Sequence, residues 1–209
     1  MIILGLTGSI GMGKSTLAAM FRARGIAVFD ADAEVHRLYE GAAVPMIEAA
    51  FRGTTARGTD GTARVDRGKL AAALAVDSSG FTRLEAIVHP LVQAEERAFL
   101  ETQASRAAPI AVLEIPLLYE TGLNKKVDAV VVASASPENQ RQRVLARGGM
   151  TEARLAGLLA RQVPDIEKRQ RADFVVDTNR SLGECEAAVD AIIEALKGAS
   201  ATAYDHHWR

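Results

Sequence analysis

The densest chemical signal in the chain is one unbroken stretch, Gly8-Ser9-Ile10-Gly11-Met12-Gly13-Lys14-Ser15. It is a complete G-x-x-x-x-G-K-[ST] phosphate loop. A loop of this kind bares successive backbone N–H groups toward the phosphate oxygens of a nucleotide. Lys14 adds a full positive charge near the phosphate that is transferred, and the Ser15 hydroxyl is placed to ligate Mg²⁺. With Thr16, which follows directly, these residues form the expected ATP-binding set. Glycines alone would also fit a tight packing turn. The Gly13-Lys14-Ser15 ending, an apolar run at 2–6 before it and a helix-like stretch at 15–24 after it favour the phosphate loop. Lys14 is expected to be a solvent-facing loop charge, so that its loss spares the fold.

Three acids stand where a phosphate-transfer site needs them. Asp30 and Asp32 follow the second apolar run directly. Loops at the carboxyl ends of parallel strands face the ligand crevice, and the phosphate loop opens on that same edge. One carboxylate can meet a substrate hydroxyl beside the terminal phosphate; either can instead cap the helix that begins near Ala33. We assign the acceptor role to Asp32 and a supporting or Mg²⁺-shell role to Asp30. Position alone separates the two only weakly. Glu114 ends a third apolar run before Pro116, the place of a Walker B acid that reaches the magnesium shell through water; the alternative is a turn carboxylate.

The interval 146–172 is rich in Arg and Gln, with Gly148-Gly149 as a hinge. Arginine suits the clamping of a transferring phosphoryl group, and Arg143 and Arg147, which precede the hinge, are the catalytic candidates. Most helix arginines are merely solvated. His89, before Pro90, reads as a histidine at a helix boundary. His36, His206 and His207 have no metal-ligand partners at credible spacing, so no protein-only metal site is expected. Cys185 reads as a small core residue.

The elements that must hold these residues are short apolar runs at 2–6, 26–29, 110–115, 129–133 and 174–176, alternating with helical periods. Such runs suit a parallel sheet covered on both faces. Ser136-Pro137-Glu138 opens a helix, and Ser181 with Glu184 makes a capping box. Between the second and third runs no strand alternation is visible; helical stretches at 33–41, 69–76, 81–88 and 91–103 read as a helical insertion. The tail 204–209 lacks periodicity and reads as loose.

Composition sets the outer bounds. The chain has 209 residues, is 48% hydrophobic and 24% charged, and carries a net charge of -1. This is ordinary globular composition with no general pull toward nucleic acid. A single cysteine excludes an internal disulfide, no apolar run approaches a membrane span, and the first residues read as a strand rather than a leader. A cytoplasmic protein that binds neither nucleic acid nor membrane is expected, as a monomer or small homo-oligomer.

Several stretches together resemble the dephospho-CoA kinase family. They are Gly5-Leu6-Thr7 through Thr16, Asp30-Ala31-Asp32, Asp60-Gly61 with Val65-Asp66-Arg67, and Leu84-Glu85-Ala86-Ile87-Val88-His89-Pro90. Glu114-Ile115-Pro116-Leu117-Leu118-Tyr119-Glu120, Arg161-Gln162, Lys168 and Ala172 to Asp177 complete the series. The resemblance implies an α/β fold: a P-loop kinase core with a five-stranded, mostly parallel sheet flanked by helices, plus a helical substrate domain and a lid. The core would take 1–32, 108–136 and 172–200, the substrate insertion 33–107 and the lid 137–171. It also implies that ATP, with Mg²⁺, donates its γ-phosphate to the ribose 3′-hydroxyl of dephospho-CoA in the last step of coenzyme A synthesis. Asp32 would accept the hydroxyl proton, and Asp32, His89 and Leu117 would lie on the substrate side. The chain departs from the family pattern at Ser9 and Met12, at Glu114 where many members have Asp, and at Asp177-Thr178-Asn179-Arg180 where Asn followed by a small residue is usual. A nucleoside monophosphate kinase of the same core is the nearest rival. A GTP-dependent switch is a more distant one, because Asn124-Lys125-Lys126-Val127 fails the last position of the guanine-reading box.

Overall fold

Residues 2–7 are apolar or small at every position, and in the computed structural model they form β1 (Ile2–Thr7), buried along its whole length. The structure describes residues 1–59, 61–77 and 79–209; Asp60, part of one resembling stretch, lies outside the described residues. In chain order the remaining strands are β2 (Ala27–Asp30), β3 (Thr55–Arg57), β4 (Ala63–Val65), β5 (Ile110–Glu114), β6 (Ala129–Ser134) and β7 (Phe174–Asp177). The helices are α1 (Lys14–Ala23), α2 (Ala31–Leu38), α3 (Val44–Ala50), α4 (Arg67–Ala75), α5 (Gly80–Ser105), α6 (Pro137–Leu145), α7 (Glu152–Leu159), α8 (Asp165–Arg171) and α9 (Leu182–Leu196). The chain divides into two units, Met1–Asp30 with Phe99–Arg209, and Ala31–Ala98.

The larger unit is built on a five-stranded sheet of order β2-β5-β1-β6-β7. Every pairing is parallel. All five strands therefore end at one edge, where β1 gives way to the phosphate loop and β2 and β5 end in Asp30 and Glu114. A parallel sheet must bury both faces, and its strands are apolar on both. One face packs against α1 and α9 through Leu17, Phe21, Val189, Ile192 and Leu196. α9 starts where the sequence marks it: the Ser181 side chain accepts from Glu184 N, and the Glu184 carboxylate accepts from Ser181 N. α6 starts at the Ser136 cap with Pro137 in its first turn.

The smaller unit differs from expectation at α3, which no expected helical stretch covers, and in two further ways. It is not purely helical, because β3 and β4 pair antiparallel across a turn closed by Gly58 N donating to Thr62 O at 2.8 Å. Strands of three residues are too short to display alternation, so the hairpin left no periodic trace. The second difference is at Pro90. The stretches at 81–88 and 91–103 are one continuous helix, α5, and His89 is an exposed residue inside it rather than at its boundary. Proline removes one helical hydrogen bond. Val88, Val92, Glu96 and Leu100 are buried at every fourth position, and this stripe carries the helix across the gap.

The tail also departs from its reading as loose. Residues 204–208 form one π-type turn, and Trp208 is 3% exposed. Its indole Nε1 donates to Lys126 O at 2.8 Å. Asp128 joins the tail to the sheet: Oδ1 accepts from Thr202 N and Ala203 N at 2.7 and 2.8 Å, and Oδ2 accepts from Ile3 N at 2.8 Å. A single turn has no room for a hydrophobic period, so its burial is decided by contact with the core. Trp208→Ala is expected to cost about 3 kcal/mol, the low end for a buried tryptophan. Urea unfolding checks this, and an unchanged midpoint would show that the tail anchors nothing.

Candidate active site

α1 begins at Lys14 from Gly13, whose backbone is left-handed at φ 88°. A side chain at Gly13 would also meet Thr178 at 3.0–3.1 Å, so both the turn and the close approach require glycine. Among the described residues no side chain caps this helix, and its first turn carries no acid. Its leading N–H groups and the positive end of its dipole are thus left for an anion, which is what a phosphate site requires. Inside the loop, Met12 N donates to Ser9 O at 3.1 Å, fixing the curl of the backbone.

The structure brings Lys14, Ser15 and Glu114 together. Lys14 Nζ donates to Glu114 Oε1 at 2.8 Å, and Ser15 Oγ donates to the same oxygen at 3.2 Å. Arg22 Nη2 lies 3.5 Å from the other oxygen, Oε2. Glu114 is 1% exposed and the Lys14 side chain 11%. Lys14 is therefore not the solvent-facing charge expected from the sequence. A buried carboxylate 100 residues away neutralises it. Asp30 is the register partner of Glu114 on the neighbouring strand, so two acids end adjacent strands at the mouth of the loop.

A second set of contacts fastens the loop from behind. Thr178 Oγ1 donates to Met12 O at 2.8 Å and accepts from Arg143 Nη1 at 3.0 Å. Arg143 Nη2 donates to Thr178 O at 2.6 Å, and Nη1 reaches Gly11 O at 3.5 Å. Arg143 thus ties α6 to the loop and to the segment after β7, whereas Arg147 is exposed beyond the end of α6. Gln140 Nε2 donates to Ile10 O at 2.8 Å, and Gln162 Oε1 accepts from Ile10 N at 3.4 Å. Sequence reading assigned no role to Arg22, Gln140, Gln162 or Thr178. The signals were the place of Gln162 in a resembling stretch and of Thr178 in one that departs from the family pattern; partners so distant in the chain leave no spacing pattern.

Thr178→Val keeps the shape but removes the hydroxyl from this buried junction. It is expected to cost about 1–2 kcal/mol of stability and to weaken ATP binding about fivefold by loosening the loop. Thermal unfolding and a nucleotide titration measure the two effects; parent values in both would show that the junction does not support the loop.

The other candidates are placed as follows. Asp32 is an exposed residue in the first turn of α2 and, like His89, belongs to the smaller unit. Leu117 is 39% exposed in the turn after β5. That turn is held by the fully buried Lys168, whose Nζ pairs with Glu120 Oε1 at 2.9 Å, while Val163 N donates to the same oxygen at 2.8 Å. Burial, reinforced by the charges of Asp177 and Glu184, pushes the Cys185 thiol up, so it remains a protonated core residue. Among the described residues no group of three or more His, Cys, Asp or Glu side chains forms a metal cage. No helix there is long and apolar enough to cross a membrane.

A parallel sheet of this strand order, a glycine loop running into an uncapped helix and a buried acid at the end of the neighbouring strand define a P-loop kinase. Comparison with known proteins narrows the class. The family model described as dephospho-CoA kinase matches residues 2–184, and the chain belongs to that family. It is 56% identical over 198 residues to the dephospho-CoA kinase of Mesorhizobium japonicum, covering 95% of this chain and 98% of that one. A Thermus thermophilus protein of known crystal structure superposes with a TM-score of 0.77 at 36% identity, over 93% of this chain and 97% of its own. The dephospho-CoA kinase of Campylobacter jejuni shares the fold with a TM-score of 0.70 at 23% identity, over 94% and 98% of the two chains.

Proposed function

We infer that this chain is an ATP-dependent phosphotransferase that moves the γ-phosphate of ATP to the ribose 3′-hydroxyl of dephospho-CoA, giving coenzyme A and ADP. The observation that carries the reading is the family match along residues 2–184, which includes both the loop and Glu114. Phosphoryl transfer asks little covalent chemistry of a protein; it asks for alignment and charge. Residues 8–16 cradle the phosphates through backbone N–H groups, and Lys14 follows the negative charge as it moves toward the leaving oxygen. Asp32, joined to the sheet edge through Ala31 and Asp30, orients the attacking hydroxyl and takes its proton. His89 and Leu117 belong to the acceptor side. Residues 137–171 act as a lid hinged at Gly148-Gly149, with Arg143 and Arg147 at its root. Closure excludes the water that would otherwise hydrolyse ATP.

The residues present suit a magnesium ion arriving with ATP. Ser15 Oγ and the Glu114 carboxylate are hard oxygen donors. Glu114 Oε2 is buried without a hydrogen-bond partner, so the carboxylate retains acceptor capacity. An ion held there would supply positive charge against the polyphosphate. Ser15 would hold it directly; Glu114 and Asp30 would hold its waters. We place the protein in the cytoplasm, in keeping with its single buried thiol, as a monomer or small homo-oligomer.

The test is ADP release measured side by side with dephospho-CoA, AMP, CMP and dTMP as acceptors, with the product identified by mass. Turnover is expected with dephospho-CoA. Turnover on a nucleoside monophosphate alone would overturn the assignment, and GTP preference without transfer would point to a switch protein.

A further inference from the structure

Glu114 presents a problem that the reaction must solve. Its carboxylate is 1% exposed, and its closest cation is Lys14. ATP binding draws Lys14 toward the phosphates, so until a metal ion joins the site the residue that neutralises Glu114 is the one the nucleotide takes away. A buried carboxylate stripped of its partner is strongly unfavourable, because water cannot reach it. The register pairing with Asp30 places a second acid on the adjoining strand and sharpens the need for positive charge. An unrelieved Glu114 would hold Lys14 back and compete with ATP for it.

A replacement cation stands beside it. Arg22 lies two turns after Lys14 on α1, with Ala18, fully buried and small, between them on the same stripe of the helix. The two cations bracket the carboxylate, Lys14 on Oε1 and Arg22 on Oε2. At 3.5 Å the guanidinium is close enough to act as a charge, yet Oε2 accepts no hydrogen bond. The Arg22 side chain is 43% exposed and has freedom to close the remaining distance. We propose that Arg22 is a positioning residue: it takes over as counter-ion of Glu114 and thereby releases Lys14 to the polyphosphate. Arg22 acts through Glu114 and Lys14 and touches neither substrate. The proposal rests on the reading of ATP as the phosphate donor.

The experiment is a calorimetric titration of Mg²⁺-free ATP into the full chain, with steady-state kinetics and thermal unfolding alongside. Arg22→Gln keeps reach and helix preference but removes the charge. It is expected to weaken ATP binding about tenfold and raise the KM for ATP with kcat nearly unchanged. The unfolding midpoint should stay near the parent value. Arg22→Lys should restore most of the affinity. In a Glu114→Gln background, where the charge that holds Lys14 is gone, Arg22→Gln should leave ATP binding unchanged. An equal loss in that background overturns the proposal, as does unchanged ATP binding by the single variant or a loss in Arg22→Lys as large as in Arg22→Gln. Each titration uses ATP alone, so these outcomes stand apart from the acceptor, which is tested by transfer to dephospho-CoA with the unaltered protein.

Discussion

Lys14→Ala is expected to lower kcat/KM on the order of a thousandfold, the size seen when one charge-stabilising donor is removed from a transition state. Phosphoryl transfer spreads developing charge over several oxygens, and the loop amides are dipoles where Lys14 is a full charge. The same substitution also acts on the fold. It leaves Glu114, 1% exposed, with the ion pair to Arg22 and the bond from Ser15 among the described residues. A loss of about 1–3 kcal/mol follows, less than for a fully stripped buried charge. Measuring turnover and urea unfolding together separates the two effects. Adding Glu114→Gln to Lys14→Ala should restore stability, because the buried charge is gone, while turnover stays low. Recovery of turnover in that double variant would show that Lys14 serves the fold rather than the reaction.

Asp32→Asn is expected to lower kcat about a hundredfold or more, the usual contribution of a positioned general base, with the KM for ATP almost unchanged. Asparagine keeps the shape and can still hold the acceptor hydroxyl, but it cannot take the proton. Asp32 is exposed in the first turn of α2, so the lost interaction with the helix dipole costs about 0.3–1 kcal/mol. Asp30→Asn is the matched comparison, since Asp30 is the register partner of Glu114 and is proposed for the magnesium side. If Asp32→Asn instead changes only the KM for ATP, Asp32 belongs to the donor site and the two aspartates exchange roles. Steady-state kinetics with each substrate varied in turn decides this.

The phosphate loop was legible because its function is local. Gly13 and Lys14 are adjacent in sequence and in space, and the backbone curl depends on residues within a few positions of one another. The three central strands, β1, β5 and β6, were legible for a similar reason: burial on both faces forces an apolar or small residue at nearly every position. The caps of α6 and α9 are written in three or four residues each. Shorter features escaped. β3 and β4 have three residues apiece, α3 starts with a proline in its first turn after a weak signal, and Trp208 sits in a single turn. Pro90 misled in the opposite direction. It marks a local break that the buried stripe of α5 overrides.

Sequence alone determined the nucleotide loop and the parallel sheet behind it, with Asp30 and Glu114 at the ends of two of its strands, since each is encoded by neighbours along the chain. Tertiary structure alone decided how the charges are shared. The pairing of Lys14 with Glu114 spans 100 residues, and the bond of Thr178 to Met12 spans 166. Whether a lysine faces water or a buried carboxylate depends on which strands lie side by side. Here β1 and β5 are neighbours in the sheet although more than a hundred residues apart in the chain, and that adjacency puts an acid beneath the loop.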